Sequence, residues 1–258
     1  MADNSEQTCA RVTGAASGLG RATTALLRQR GVRVAGLDLE PKGVEADLAL
    51  GCDIADAAAV QAAVRQAVER LGRLDLVAHC AATFPSSAVP LHALDPAIWR
   101  RTVDVNLNGA FAVARSTLPE LVGSRGAMVL VASVAGDHPQ PGAAVYTATK
   151  AAVAALARAI AIEYAHLGVR ANSVSPGWMD TAMAAPVLSR EHLRRRVEER
   201  VPLGRVAAPE EVAEAIVWLL SEAAGYVTGQ DLVIDAGMSL AAFVDDGEVA
   251  ATWRRGEG

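Results

Sequence analysis

The 258-residue sequence predicts an α/β chain. Its framework is a doubly wound parallel sheet of about seven strands, with helices on both faces. Short β-branched runs alternate with helical patterns from one end of the chain to the other. The runs are almost continuously apolar, as parallel strands covered on both faces are. No repeat, low-complexity linker or charge block interrupts the alternation, so one domain is expected over residues 1–258.

The first strand runs into a glycine-rich turn at Thr13-Gly14, and later runs fall at 32–37, 74–78, 127–132, 169–174 and 232–234. Helical patterns occupy 56–71, 96–118, 144–166 and 209–221. Two helix starts are explicit. Asp95-Pro96 reads as N-cap and first helical residue, and Pro209-Glu210-Glu211 puts proline and acids into a first turn. The stretch between Asp38 and Cys52 is short and holds Pro41 and Gly43, so a poorly ordered connection is expected there. Arg11 lies in what should be a central strand, where a buried guanidinium needs a partner. The mild arrangement packs its stem and takes its head to an edge. Residues 241–258 read as a mobile tail that could cross to a neighbouring subunit.

Composition excludes several classes. The net charge of −5 offers no basic field to nucleic acid. No uncharged apolar run reaches the roughly 18 residues of a membrane helix. The N-terminus has neither a basic region nor an apolar core, which argues against secretion. Cys9, Cys52 and Cys80 are odd in number and widely spaced. They fit free thiols in a reducing cytoplasm, and no ligand cluster supports a metal site.

Chemistry enters at Thr13-Gly14-Ala15-Ala16-Ser17-Gly18-Leu19-Gly20, between a strand and a helix. Glycines there let a pyrophosphate approach the backbone, and the helix N-terminus offers free N–H groups and a positive dipole end. The second strand ends at Asp38, the usual spacing for an acid that binds the adenosine ribose hydroxyls. That acid would repel a 2′-phosphate. Ser17 is neutral and no cation directly follows Asp38, so the expected cofactor is NAD.

Only three tyrosines and two lysines occur, and Tyr146 and Lys150 stand four apart on one helical pattern. They share a face. A free phenol titrates near pH ~10. A neighbouring cation would favour the phenolate and fit it for proton exchange with an alcohol while hydride leaves the same carbon. Ser133, ending the run 127–132, would hold the substrate oxygen.

At this point the sequence resembles the short-chain dehydrogenase/reductase family, over roughly residues 8–240. The residues that carry the resemblance are the loop Thr13 to Gly20, Asp38, Asp53, Asn106 in Val105-Asn-Leu-Asn-Gly109, Ser133, Tyr146-Thr-Ala-Thr-Lys150, Pro176-Gly177 and the closing Gly225-to-Gly237 stretch. The resemblance implies a Rossmann-like fold and a catalytic tetrad of Asn106, Ser133, Tyr146 and Lys150. It implies cofactor contacts at Gly14, Ser17, Gly18, Leu19, Gly20, Asp38, Cys52, Asp53 and Ala81. Tyr146, Lys150, Pro176, Gly177 and Thr181 would complete that set. Lys150 would bind the nicotinamide ribose, Asn106 would support a water that relays protons to it, and Asp53 would meet the adenine. A homotetramer is also implied, with 144–166 and the helix from Pro209 at its interfaces. The chain departs from the family at His79-Cys80-Ala81-Ala82, where Asn-Asn-Ala-Gly is usual. His79 is expected to act as a structural donor, since Tyr146 fills the acid/base role.

The substrate side is expected over 178–205, as a lid. Trp178, Met183 and, by analogy with the family, His138 would line the pocket. An arginine-rich segment from Arg190 to Arg200 would either recognise a carboxylate or form a solvated helix of i, i+4 pairs. The function expected is an NAD(H)-dependent interconversion of a small secondary alcohol and its ketone. The alternatives are a non-catalytic NAD(H)-binding regulator and a Rossmann-like methyltransferase. Neither needs Asn106, Ser133, Tyr146 and Lys150 together.

Overall fold

The computed structural model describes residues 7–85 and 89–240. The tail expected at 241–258 lies outside the described residues. Seven parallel strands form one sheet, β1 (Cys9–Thr13), β2 (Arg33–Asp38), β3 (Leu48–Gly51), β4 (Leu76–His79), β5 (Ala127–Val131), β6 (Arg170–Pro176) and β7 (Asp231–Ile234). Their order is β3-β2-β1-β4-β5-β6-β7. The chain therefore winds outward from β1 in one direction and from β4 in the other. The crevice at the carboxyl ends of β1 and β4 is where such sheets bind ligands.

Two helices, α1 (Gly18–Gln29) and α8 (Pro209–Leu220), cover one face. The other face carries α2 (Ala57–Leu71), α4 (Gly109–Ser124) and α5 (Ala144–Tyr164). Each face has its own apolar core, one centred on Val12, Val129 and Ile216 and the other on Leu37, Val77 and Leu130. Together with its short continuation, α5 spans Ala144–Leu167 and is long and apolar enough by length and composition to cross a membrane. It packs instead on β5 and β6 as a core helix, and carries Lys150, Arg158 and Glu163. The remaining helices are α3 (Pro96–Val103), α6 (Ala185–Leu188) and α7 (Glu191–Glu198).

Two local expectations are corrected. The connection from Asp38 to Cys52 is ordered. It holds a single turn at Pro41–Gly43 and then the edge strand β3, paired with β2 from Ala35↔Leu48 to Asp38↔Gly51. The strand escaped notice because Leu-Ala-Leu-Gly is short and weak in β propensity. Its pairing comes instead from register and from Asp47, whose carboxylate accepts from Val34 N at 2.9 Å. Secondly, the pattern 96–118 is a composite. A π-helical segment at Asp104–Asn108 separates α3 from α4, which runs on to Ser124. Such segments widen a helix by one residue and often mark functional positions.

Arg11 does not reach an edge. It sits in β1 between Ala35 and Val77 with no exposure, and none of its three guanidinium nitrogens has a hydrogen-bond partner among the described residues. Burial lowers its pKa from 12.5 to about 10, with a smaller opposing pull from the Cys52 thiol. Only the unfolded chain holds the proton freely between those values, so stability rises with pH through that window and the penalty is complete at pH 7. The depression corresponds to about 3 kcal/mol. Arg11→Met should therefore raise the urea midpoint at pH 7, by about 2–3 kcal/mol of stability with unchanged slope. A lower midpoint would mean that the guanidinium is well paired in solution.

Candidate active site

A cleft of about 910 Å³ opens at the β1/β4 crevice. Its floor is the turn from β1 into α1. Gly14 has φ +69°, and a Cβ there would come within 3.0 Å of the Ala81 backbone. A Cβ at Gly20 would fall 2.1 Å from the Gly14 carbonyl oxygen. Both positions thus require glycine for close approach. The N-cap Ser17 makes no side-chain cap and no acid occupies the first turn of α1, so the N–H groups of that helix face the cleft uncompensated. Gly14, Ser17, Gly18, Leu19 and Gly20 all line it.

At one end stand Asp38, Cys52 and Asp53. Asp38 closes β2, and its carboxylate accepts from Ala16 N at 3.0 Å and Glu40 N at 3.3 Å. Asp53 accepts from both terminal nitrogens of Arg101 at 3.3 Å. At the other end are Ser133, Tyr146 and Lys150; Pro176, Gly177, Trp178 and Met183 also line the cleft, and Thr181 lines it beside Gly18 of the glycine turn. Ala81 lines the cleft between the two ends.

Lys150 is buried, and its Nζ donates to the Val131 carbonyl at 2.7 Å while lying 5.7 Å from the centroid of the Tyr146 ring. Burial lowers its pKa to about 8, against a raising influence of Cys80. Burial raises the Tyr146 phenol, and the Ser133 hydroxyl is the group that pulls it back. The ammonium faces the ring and a carbonyl, and the Ser133 hydroxyl adds its own pull towards the phenolate.

Asn106 lies in the π-helical segment, buried behind the cleft. Its Oδ1 accepts from Thr83 N at 2.7 Å, and its Nδ2 donates to Thr83 O at 2.9 Å and Thr149 Oγ1 at 3.2 Å. The side chain brackets Thr83 and so fixes the following residue, Phe84, whose ring meets Tyr146 edge-on at 4.8 Å and 64°. Phe84, Arg101 and the methionines 179 and 238 line the cleft and escaped the sequence reading. Phe84 carried a signal, as one of only three phenylalanines standing just after the departing segment. His138 is exposed and is not among the lining residues; Gln140 and Pro141 come from that stretch instead. Helix α7 is the solvated alternative. Arg195 pairs with Glu191, Arg194 pairs with Asp180 and Glu198, and no residue of α7 lines the cleft.

His79 of the departing segment is built into the core, while Cys80, Ala81 and Ala82 line the cleft. Ala81 N donates to Thr13 Oγ1 at 3.2 Å, and that oxygen lies 2.9 Å from His79 Nδ1. The direction of that hydrogen bond follows the imidazole tautomer, and His79 Nε2 is buried with no partner among the described residues. Burial, then the charges of Lys150 and Arg11, lower its pKa from 6.5 to about 3.

A parallel doubly wound sheet, a glycine turn at its switch point, and a serine, a tyrosine and a lysine on one wall of the same cleft define a class, the nicotinamide-dependent oxidoreductases. Within it, the chain belongs to the short-chain dehydrogenase/reductase family, whose members act on CH–OH groups with nicotinamide cofactors. A family profile described as enoyl-(acyl carrier protein) reductase matches residues 14–239. The chain is similar to cis-4-hydroxycyclohexanecarboxylate dehydrogenase of Sinomonas cyclohexanicum, with 39% identity over 88% of this chain and 94% of that protein. It is 35% identical to 2,5-dichloro-2,5-cyclohexadiene-1,4-diol dehydrogenase of Sphingobium indicum, over 88% and 95% of the two chains. Aldohexose dehydrogenase of Thermoplasma acidophilum, solved ligand-free, superposes with a TM-score of 0.87 at 28% identity, covering 93% of this chain and 96% of that one.

The residues present fit the family's cofactor. The cleft is continuous from Asp38 to Tyr146, and its glycine turn is a cradle that added Cβ atoms would fill.

Because His79 stays neutral when folded and charges when unfolded, stability falls as pH drops from 6.5 towards 3. His79→Asn keeps a hydrogen-bond partner for Thr13 and should flatten that decline. The gap between variant and parent should change by about 1.4 kcal/mol per pH unit in urea titrations below pH 6.5. Parallel declines would show that the imidazole is not held neutral.

Proposed function

We propose that the protein is an NAD(H)-dependent dehydrogenase that interconverts a secondary alcohol and its ketone, with Tyr146 as the acid/base. The observation that carries this reading is that Ser133, Tyr146 and Lys150 share one wall of a cleft whose far end is closed by Asp38. Gly14 to Gly20 would hold the pyrophosphate on the α1 terminus, Asp38 the adenosine ribose, and Cys52 and Asp53 the adenine. Pro176, Gly177 and Thr181 would hold the nicotinamide side, and Lys150 its ribose. When bound, the nicotinamide supplies or accepts the hydride.

The chain's own residues handle the proton. Ser133 Oγ holds the substrate oxygen, and its hydrogen bond favours the Tyr146 phenolate. Tyr146 Oη takes the hydroxyl proton during oxidation and returns it during reduction. Asn106 is a positioning residue, holding Thr83 and hence Phe84 against Tyr146. Preference for NAD rests on the Asp38 carboxylate, which a 2′-phosphate would meet as a like charge. Arg101, the nearby lining cation, is engaged by Asp53. The cyclic alcohols in the names of two relatives are the substrate shape we carry to this chain.

A homotetramer is part of the proposal. Phe111 on α4 and Ile162 on α5 are 54% and 82% exposed, and Trp218 on α8 and Val233 on edge strand β7 are 41% and 46% exposed. Two separate apolar faces suit the two interfaces of a dihedral assembly.

Tyr146→Phe should lower kcat by a hundredfold to ten-thousandfold, about the range of acid/base catalysis, with the NADH Kd close to the parent's by fluorescence titration. Surviving turnover would remove the acid/base assignment. Asp38→Ala should narrow the NAD-to-NADP ratio of kcat/KM by about tenfold or more, the worth of a charge-assisted hydrogen bond. An unchanged ratio would mean that Asp38 does not face the ribose.

A further inference from the structure

The substrate end of the cleft has a composition of its own. We infer that it selects a neutral, ring-shaped alcohol over an anionic one, and that Phe84 is the residue that sets this choice; the inference rests on the dehydrogenase reading of the same site. The charged lining residues, among the described residues, are Asp38, Asp53, Arg101 and Lys150. The first three stand at the adenosine end. Lys150 is buried and donates to Val131 O. The arginines of α7, the nearest candidates for gripping a carboxylate, do not line the cleft, and Arg194 and Arg195 are paired with acids. A carboxylate carried into this end would lose its water with no cation to replace it but Lys150, whose ammonium is already set against the Val131 carbonyl and the Tyr146 ring, which is unfavourable.

What the end does offer is flat and polarizable. Phe84 meets Tyr146 there, and Trp178, Met179, Met183 and Met238 line the same cleft, so three of the chain's five methionines face one cleft. Thioethers mould to irregular apolar shapes, and aromatic faces suit the flat side of a ring. Phe84 is 41% exposed, directed to the cleft and edge-on to Tyr146, so a ring bound at the reacting carbon would pack beside it. Its place is not incidental, because Asn106 clamps the preceding residue at both backbone atoms.

The test compares cis-4-hydroxycyclohexanecarboxylate with its methyl ester, which differ in charge and share the ring and hydroxyl. Initial rates with NAD should give the ester a kcat/KM at least thirtyfold higher. Equal values, or preference for the acid, overturn the inference while leaving the dehydrogenase reading intact. Phe84→Ala should lower the ratio of kcat/KM for the ester to that for 2-propanol at least tenfold, mainly through KM, with Phe84→Leu in between. Equal losses on both alcohols would mean that Phe84 only props Tyr146, and would overturn its role in specificity. Where neither compound turns over, thermal shift of the NADH-loaded protein decides. Stabilisation by cyclohexanol and not by cyclohexanecarboxylate supports the inference, and any other pattern overturns it. Failure to bind NADH or NADPH at all would instead overturn the dehydrogenase reading, and this inference with it.

Discussion

The contact between Gly14 and the backbone of Ala81 governs the geometry of the site. A Cβ at position 14 would sit 3.0 Å from both Ala81 Cα and Ala81 N, so the turn leaving β1 presses directly on the chain leaving β4. Those two strands are the pair at which the winding of the sheet reverses. One set of connections turns away to each side, and the crevice between them cannot be filled by a crossing helix. The tight glycine contact closes its floor. Thr13 reinforces the same junction, since its hydroxyl takes the Ala81 N–H and meets His79 across the strands. Loop, helix terminus and catalytic wall are all placed relative to this seam.

The seam also explains how the chain tolerates an unusual core. His79 and Arg11 are both fully buried on the side of the sheet facing α2 and α4, and the Arg11 charge adds to burial and Lys150 in disfavouring the imidazolium. The two groups end in opposite states. The imidazole can give up its proton at modest cost and keep its hydrogen bond with Thr13. The guanidinium holds its proton up to a pKa of about 10 and so remains charged at neutral pH. The polar function of the seam therefore falls to His79, and the energetic burden to Arg11. Neither group lines the cleft, so His79 bears on stability, while Cys80 and Ala82, the rest of the departure, line the cleft itself.

Much of this was legible in the sequence, for identifiable reasons. Strands buried on both faces write continuous apolar runs, and β1, β2, β5 and β6 were found that way. The i, i+4 spacing of Tyr146 and Lys150 fixes their common face whatever surrounds them. What could not be read depends on partners distant in sequence. Strand β3 exists because β2 offers it an edge, not because Leu-Ala-Leu-Gly favours extension. The direction of the Lys150 ammonium depends on the Val131 carbonyl, nineteen residues away. The family resemblance placed Asn106 in the tetrad, as the support of a water. Only the fold shows that its amide is spent on Thr83, inside a π-helical segment that periodicity cannot distinguish from the helices beside it. The arginines of α7 were ambiguous because one pattern writes both a solvated face and a binding face. The acids at 180, 191 and 198 decide the matter in space.

The two ends of the cleft answer to different constraints. The cofactor end must hold a ligand of fixed shape and charge, so it is built from backbone, glycine and carboxylate on rigid strand ends. Substitutions there change close contacts that side chains cannot absorb, as the 2.1 Å approach at Gly20 shows. Towards the substrate, Phe84 stands on the loop after β4, Trp178, Met179 and Met183 on the loop after β6, and Met238 on a turn after β7, where a change of side chain moves no strand. Selectivity can drift there while the chemistry stays fixed. Asn106 joins the two regimes. It stands on a rigid helix and grips the loop that carries Phe84, so the one aromatic wall beside Tyr146 takes its precision from the scaffold and its identity from the loop.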